Sequence, residues 1–80
     1  MLLFFENSYG ARRTIAAPET FREAVNEINR FLKAHDYESY YMRTWRNDED
    51  EHEIVFDVGS HSEFFYLYNE SGWPDDLREV

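Results

Sequence analysis

The sequence has no cysteine and little glycine or proline: three glycines and two prolines among 80 residues. Without cysteine there are no disulfides and no thiolate zinc sites, two common supports of so small a domain. The longest apolar run, residues 1–5, ends at Glu6 and is far shorter than the roughly 20 residues of a membrane-spanning helix. It also lacks the basic start of a signal peptide, so we expect a cytoplasmic protein.

Basic residues are scarce as well. Eight Lys and Arg stand against 17 Asp and Glu, which gives a formal net charge of −9. Nucleic acids and anionic membranes both require a basic surface, so the charge argues against either as a direct partner. Residues 36–80 hold 13 of the 17 acidic residues. Either this half attracts a basic partner, or its charge only keeps a small domain soluble.

Residues 20–34 carry the strongest periodic pattern and predict an amphipathic helix. Apolar side chains recur there every three or four positions, with polar ones on the opposite side. The apolar stripe consists of Phe21, Ala24, Val25, Ile28, Phe31 and Leu32. Thr20 and Glu23 have the spacing of a capping box, and Pro18 is an alternative first helical residue.

Five segments of strand composition surround this helix. They are residues 2–6, 12–16, 40–46, 53–58 and 64–69, with turn residues 7–10 between the first two. The order ββαβββ predicts an α+β fold, in which one helix covers one face of a mostly antiparallel sheet of about five strands. We place this single domain at residues 1–70 and expect residues 71–80 to form a flexible acidic tail.

The aromatic residues, 19% of the chain, point to a second covered face. The first, third and fifth strands offer large side chains to both faces, and one helix covers only one of them. Either the sheet curls on itself, or the second face meets a partner. Tyr, Trp and Arg are typical interface anchors. The sequence thus predicts a homodimer whose contacts are Tyr41, Arg43, Trp45 and Val55.

An acidic segment forms the other candidate interaction surface. Its residues are Asp48, Glu49, Asp50, Glu51, Glu53 and Asp57. A series of carboxylates can take the place of phosphates in a basic groove. This segment therefore predicts a contact with a basic or DNA-binding protein.

Groups suited to catalysis or metal binding also occur, but their spacing is unfavourable. Asp57 and His61 lie in one turn-rich segment, where neighbouring side chains tend to diverge, whereas catalysis needs them to converge. His52 and His61 would lie about 20 Å apart along a strand, too far to share a metal ion. The sequence predicts no catalytic residue, metal site or cofactor, and a small enzyme around Asp57 and His61 is only a second alternative.

Residues 7–10, 39–45 and 57–65 resemble small proteins of unknown function encoded by phages and prophages of Gram-positive bacteria. The resemblance covers residues 2–69 and implies a phage-type accessory protein in the cytoplasm of the bacterial host, with no activity attached. Together these features favour a non-enzymatic interaction protein that inhibits a basic host protein through its acidic C-terminal half. The alternative is a structural or assembly protein that dimerises through its aromatic sheet face.

Overall fold

A computed structural model describes residues 1–36, 41–60 and 62–73. Within these residues the elements follow the order ββαβββ: β1 (Leu2–Glu6), β2 (Arg12–Ala16), α1 (Phe21–Ala34), β3 (Arg43–Arg46), β4 (Glu53–Asp57) and β5 (Phe64–Tyr68). The strands form one sheet in the order β2-β1-β5-β4-β3, and every neighbouring pair is antiparallel. The predicted α+β fold is confirmed.

Helix α1 begins directly after its N-cap residue, Thr20. The Glu23 amide donates to Thr20 Oγ1 at 3.1 Å, and the Glu23 carboxylate accepts from the Glu19 amide at 2.7 Å. These bonds satisfy amides at a helix start that have no partner within the helix. Pro18 lies before the helix rather than in it, so the capping-box start is the correct one.

The core lies between α1 and one face of the sheet. The helix buries Phe21, Ala24, Ile28 and Leu32, and the strands bury Leu3, Phe5, Ile54, Phe56, Phe65 and Leu67 beneath them. Burial of each large side chain contributes roughly 1.5–3 kcal/mol. This apolar layer is therefore the main source of stability for the fold.

The β1–β2 turn is built by side-chain hydrogen bonds, as its composition predicts. Asn7 Oδ1 accepts from the amides of Tyr9 at 2.9 Å and Ala11 at 3.0 Å. Gly10 has φ of +81°, a conformation that favours glycine. The turn leads into β2, which lies at one edge of the sheet and is mostly exposed.

Strand β3 is shorter than the sequence predicts. It begins at Arg43 rather than residue 40; Tyr41 and Met42 precede it, and Tyr40 lies outside the described residues. The last pair of the ladder joins Arg43 to Asp57, where β4 ends. Gly59 then turns the chain with φ of +90°, so no strand remains opposite Tyr41.

Trp73 ties the C-terminal turn to the core. Its indole Nε1 donates to the His52 carbonyl at 3.1 Å, and its ring meets Phe21 edge-on with the centroids 6.1 Å apart. The ordered domain therefore extends past the predicted boundary at residue 70. The rest of the predicted tail, residues 74–80, lies outside the described residues. No described helix has the length and apolar character needed to span a membrane.

Candidate functional site

The sheet face turned away from α1, called the open face below, has no layer of helix or strand over it in the described part of the chain. The strand register assigns to it Leu2, Phe4, Glu6, Arg12, Thr14, Arg43, Trp45, Glu53, Val55, Asp57, Phe64, Tyr66 and Tyr68. One row across the strands is mostly apolar: Thr14, Phe4, Tyr66, Val55 and Trp45. Charged residues flank this row.

Arg12 lies diagonally across the open face. Its guanidinium is 3.8 Å from the Tyr66 ring centroid, and Nη1 donates to Glu53 Oε2 at 2.8 Å. Its Nε donates to Glu6 Oε1 at 3.1 Å. In a flat sheet β2 and β4 would lie about 14 Å apart. The side chains of Arg12 and Glu53 cover this separation, so the contact joins β2 to β4 across β1 and β5.

Two carboxylates, a side-chain amide and a phenol complete this group, called the Arg12 cluster: Arg12, Glu6, Glu53, Asn47 and Tyr66. Glu53 is only 5% exposed, and its Oε1 accepts from Asn47 Nδ2 at 3.0 Å. The Tyr66 hydroxyl donates to Glu6 Oε2 at 3.3 Å. Both oxygens of the buried Glu53 carboxylate are thus bound, which compensates for the loss of water.

The Arg12 cluster also changes the titration of two of its members. Partial burial acts to lower the pKa of Arg12, but the hydrogen bonds to Glu53 and Glu6 outweigh it and raise that pKa. Burial, followed by the negative charge of Glu6, raises the pKa of the Tyr66 phenol. Arg12 therefore stays charged and Tyr66 stays neutral over the physiological pH range.

A second charged pair occupies the β3 edge of the open face. Arg43 Nη2 donates to Asp57 Oδ2 at 2.6 Å, and this bond raises the pKa of Arg43. The Arg43 guanidinium also lies 5.4 Å from the Tyr41 ring centroid. Asp57 is 6% exposed, and its Oδ1 accepts from the Gly59 amide at 3.0 Å. Asp57 is thus bound on both oxygens.

A hollow of about 370 Å³ opens beside Trp45. Its lining residues are Glu6, Arg12, Trp45, Asn47, Glu49, Val55, Phe64 and Tyr66. Trp45 is 41% exposed, whereas Val55, its cross-strand partner, is 6% exposed. An accessible indole next to buried apolar side chains is typical of an interface anchor.

The six acidic residues predicted as one surface fall into two groups. Asp48, Glu49 and Glu51 are exposed and Asp50 is half-buried in the turn between β3 and β4, called the acidic turn (residues 48–51). Asp50 Oδ1 accepts from the His52 amide at 2.9 Å and so shapes this turn. Glu53 and Asp57 are bound to arginines on the open face. Of these six residues, only those of the acidic turn are exposed to solvent. Glu49 is the member of the turn that lines the hollow.

The aromatic surface predicted from sequence is only partly assembled. Arg43, Trp45 and Val55 lie on the open face. Tyr41 lies outside β3, and its ring is so near Gly59 that an added Cβ there would be 3.2 Å from Cε2. The sequence reasoning did not identify Arg12. The alternation of side chains along residues 12–16 indicated an edge strand. Nothing in the neighbouring sequence indicated that Arg12 would bind Glu53, 41 residues away.

The segment considered for catalysis is organised as a turn. Ser60 Oγ accepts from the amides of Ser62 at 3.4 Å and Glu63 at 3.2 Å. His61 lies outside the described residues. The Ser60 hydroxyl and the Asp57 carboxylate therefore accept hydrogen bonds from backbone amides of this turn. In the described ranges no three His, Asp or Glu side chains are grouped to hold a metal ion.

A second hollow, of about 530 Å³, lies between α1 and the loop that precedes it. Its carboxylates have internal partners: Glu23 accepts from the Glu19 amide, and Glu27 pairs with Arg30 on the helix. None of its lining residues is aromatic, whereas Trp45, Phe64 and Tyr66 line the hollow on the open face. We therefore take the hollow on the open face as the candidate functional site.

Comparison of the chain with protein-family models, with characterised proteins and with solved structures finds no match. The resemblance to phage and prophage proteins stays a prediction.

Proposed function

We propose that this chain is a non-enzymatic interaction protein that binds a basic protein partner on the open face of its sheet. One observation carries the proposal: the hollow there combines the exposed indole of Trp45, the buried Val55 beside it and Glu49 of the acidic turn. Aromatic anchors contribute affinity at interfaces. Charged borders contribute association rate and choice of partner.

The sign of the charge selects the class of partner. The acidic turn has carboxylates at four consecutive positions, and one of them, Glu49, lines the hollow. Such a concentration of negative charge attracts a basic surface and repels phosphate. The arginines of the open face, Arg12 and Arg43, are each bound by carboxylates of this chain and do not reverse this preference.

Within this proposal the chain is a phage-type accessory protein of the bacterial cytoplasm, and its partner is a basic or DNA-binding host protein. Binding would cover a surface that otherwise meets phosphate, and so would inhibit that protein. The small size and the acidity support this role. The residues available for it are Asp48, Glu49 and Glu51, because Glu53 and Asp57 are engaged in ion pairs within the sheet.

A homodimer through the same face is the second candidate. The apolar row that ends at Trp45 favours it, because such a row can pack against a second copy of itself. In this alternative the same hollow receives side chains of the second copy, and the protein serves an assembly role.

Photo-crosslinking distinguishes the two candidates. A photoreactive phenylalanine derivative is placed at Phe64, which lines the hollow, in one variant and at Arg22, exposed on α1, in the control. After irradiation in bacterial cells, we expect the variant at 64, and not the one at 22, to be joined to a basic protein. A product of two chains only, each 9.7 kDa, would favour the homodimer. Equal products from both positions would contradict a specific open-face contact.

A further inference from the structure

The open face uses the same type of contact twice. Arg12 lies over the ring of Tyr66, and Glu53 and Glu6 bind its guanidinium. Arg43 lies near the ring of Tyr41, and Asp57 binds its guanidinium. In both cases a cation lies against an aromatic ring while a carboxylate accepts its N–H groups, a combination favourable for arginine in particular.

A third ring and carboxylate border the hollow without an arginine of their own. Trp45 is 41% exposed, and no cation lies over its indole within the described residues. The carboxylate of Glu49 forms no ion pair in the same part of the chain. Both side chains line the hollow. Trp is the aromatic residue that binds cations best.

We infer that the hollow is a binding site for an arginine side chain of the protein partner. The inference rests on the proposed function and names the group that the partner presents. The guanidinium stacks on the indole of Trp45 and donates to the carboxylate of Glu49. The contact is the same as those of Arg12 and Arg43, except that the arginine comes from another protein.

The other charges around the hollow are compatible with a cation. Arg12 also lines it, but Glu6 and Glu53 bind this guanidinium, so the three side chains together carry a net charge of −1. Glu49 and the neighbouring carboxylates of the acidic turn add further negative charge. An arginine is favoured over a lysine because its planar group can stack on the ring and bind a carboxylate with two N–H groups at once.

The test is an NMR titration with the peptide acetyl-Gly-Arg-Arg-Gly-amide and, as its neutral counterpart, the same peptide with citrulline in place of arginine. The chain has two tryptophans, so two indole N–H signals are followed. Trp73 serves as the internal reference, because its indole N–H is bonded to the His52 carbonyl. We expect the Trp45 signal to shift saturably with the arginine peptide, while the Trp73 signal and the citrulline titration change little.

Two variants separate a specific site from general acidity. Glu49→Gln should raise the dissociation constant of the arginine peptide about threefold to tenfold, because it removes the charge that receives the guanidinium. Asp48→Asn removes the same charge from an exposed residue of the turn that does not line the hollow. It should raise the constant less than about twofold, as expected for a screened surface charge.

The inference is overturned if the two indole signals move together, if citrulline matches arginine, or if the two variants weaken binding equally. Such a result combined with specific crosslinking at position 64 would leave the proposed function standing with a different contact. Failure of the crosslinking, together with a saturable Trp45 shift, would instead leave an arginine site that the proposed function does not explain.

Discussion

The covered face and the open face of this sheet are made by alternate residues of the same strands, yet they exclude water by different means. Under α1, Phe65 and Leu67 of β5 are fully buried among apolar side chains. On the open face, Phe64 and Tyr66 of the same strand are half-buried. Tyr66 is covered by the guanidinium of Arg12 rather than by another apolar residue.

This difference shows how both faces of a sheet can be protected although a helix covers only one of them. Polar side chains with long aliphatic stems cover aromatic rings while their charged ends remain bonded. The cover is partial, since Trp45 and Leu2 are each 41% exposed. The covered face therefore provides stability, and the open face retains a surface on which a partner can bind.

The largest expected effect comes from the matched phenylalanines of β5. Phe65→Ala should lower the free energy of unfolding by about 3–5 kcal/mol, because it leaves a cavity in the core. Phe64→Ala should cost about 1–2 kcal/mol, because a half-exposed ring gives up less burial. Urea denaturation of the two variants measures the difference.

Protein concentration is the control for this pair. If the open face were covered by a second copy, Phe64→Ala would cost as much as Phe65→Ala, and its effect would grow with concentration. Equal and concentration-independent losses would contradict the distinction between the two faces.

The Arg12 cluster provides the next largest effect. Arg12→Met keeps much of the aliphatic stem but leaves the buried Glu53 carboxylate without its cation. The expected loss is about 1–3 kcal/mol, the cost of an unsatisfied buried acceptor. Arg13→Met is the matched control: its guanidinium lies 6.0 Å from the Phe5 ring and 5.7 Å from the Phe31 ring. It should cost less than about 0.5 kcal/mol, as exposed substitutions do.

A double variant shows whether the two residues act together. With Arg12→Met and Glu53→Met combined, the stranded charge is gone, so the loss should be smaller than the sum of the single losses. If the losses of unfolding free energy are additive, the contact between Arg12 and Glu53 does not stabilise the open face.

The sequence correctly predicts those features whose interacting residues lie close together along the chain. The helix stripe, its Thr20 cap and the turn at Asn7 depend on residues close in sequence, so the chain's own pattern predicts them. The bond between Arg12 and Glu53 depends on strand order and on the position of each residue within the sheet. Local patterns contain neither. For the same reason the sequence could not distinguish exposed Glu49 from buried Glu53, although both are glutamates in one acidic segment.

A variant at Trp45 tests the comparison of the two faces further, because it should weaken binding while leaving stability nearly unchanged. Trp45→Ala should cost less than about 1 kcal/mol of stability, since the side chain is 41% exposed. It should weaken partner binding or self-association about tenfold or more, as removal of an aromatic anchor does. Denaturation and binding are measured on the same preparation, with Tyr9→Ala, at 93% exposure, as the control. An equal loss of binding in the control would argue against the open face as the interface.

Charge reversal in the acidic turn should have a smaller effect on folding. Asp48→Lys, Glu49→Lys and Glu51→Lys together change exposed side chains, whereas Asp50 is kept because it accepts from the His52 amide. Stability should change by no more than about 0.5 kcal/mol. If the acidity is functional, binding of the crosslinked partner should be lost, and association of the unaltered protein should slow as salt rises. Unchanged affinity would leave solubility as the role of the charge.

The smallest expected effect is the alkaline titration of Tyr66. Burial and the charge of Glu6 raise the pKa of this phenol in the folded protein, so the unfolded chain releases the proton first. Its contribution to stability is complete below the unfolded pKa, near 10, and is lost as the pH rises through the folded pKa. Tyr66→Phe should therefore remove part of the wild-type loss of stability above that pH. The difference should stay below about 0.5 kcal/mol, because solvent screens a phenol that is only partly buried. Tyr9→Phe, which removes an exposed phenol, is the control. If Tyr66→Phe leaves the dependence of stability on alkaline pH unchanged, Glu6 and Tyr66 are not coupled on the open face.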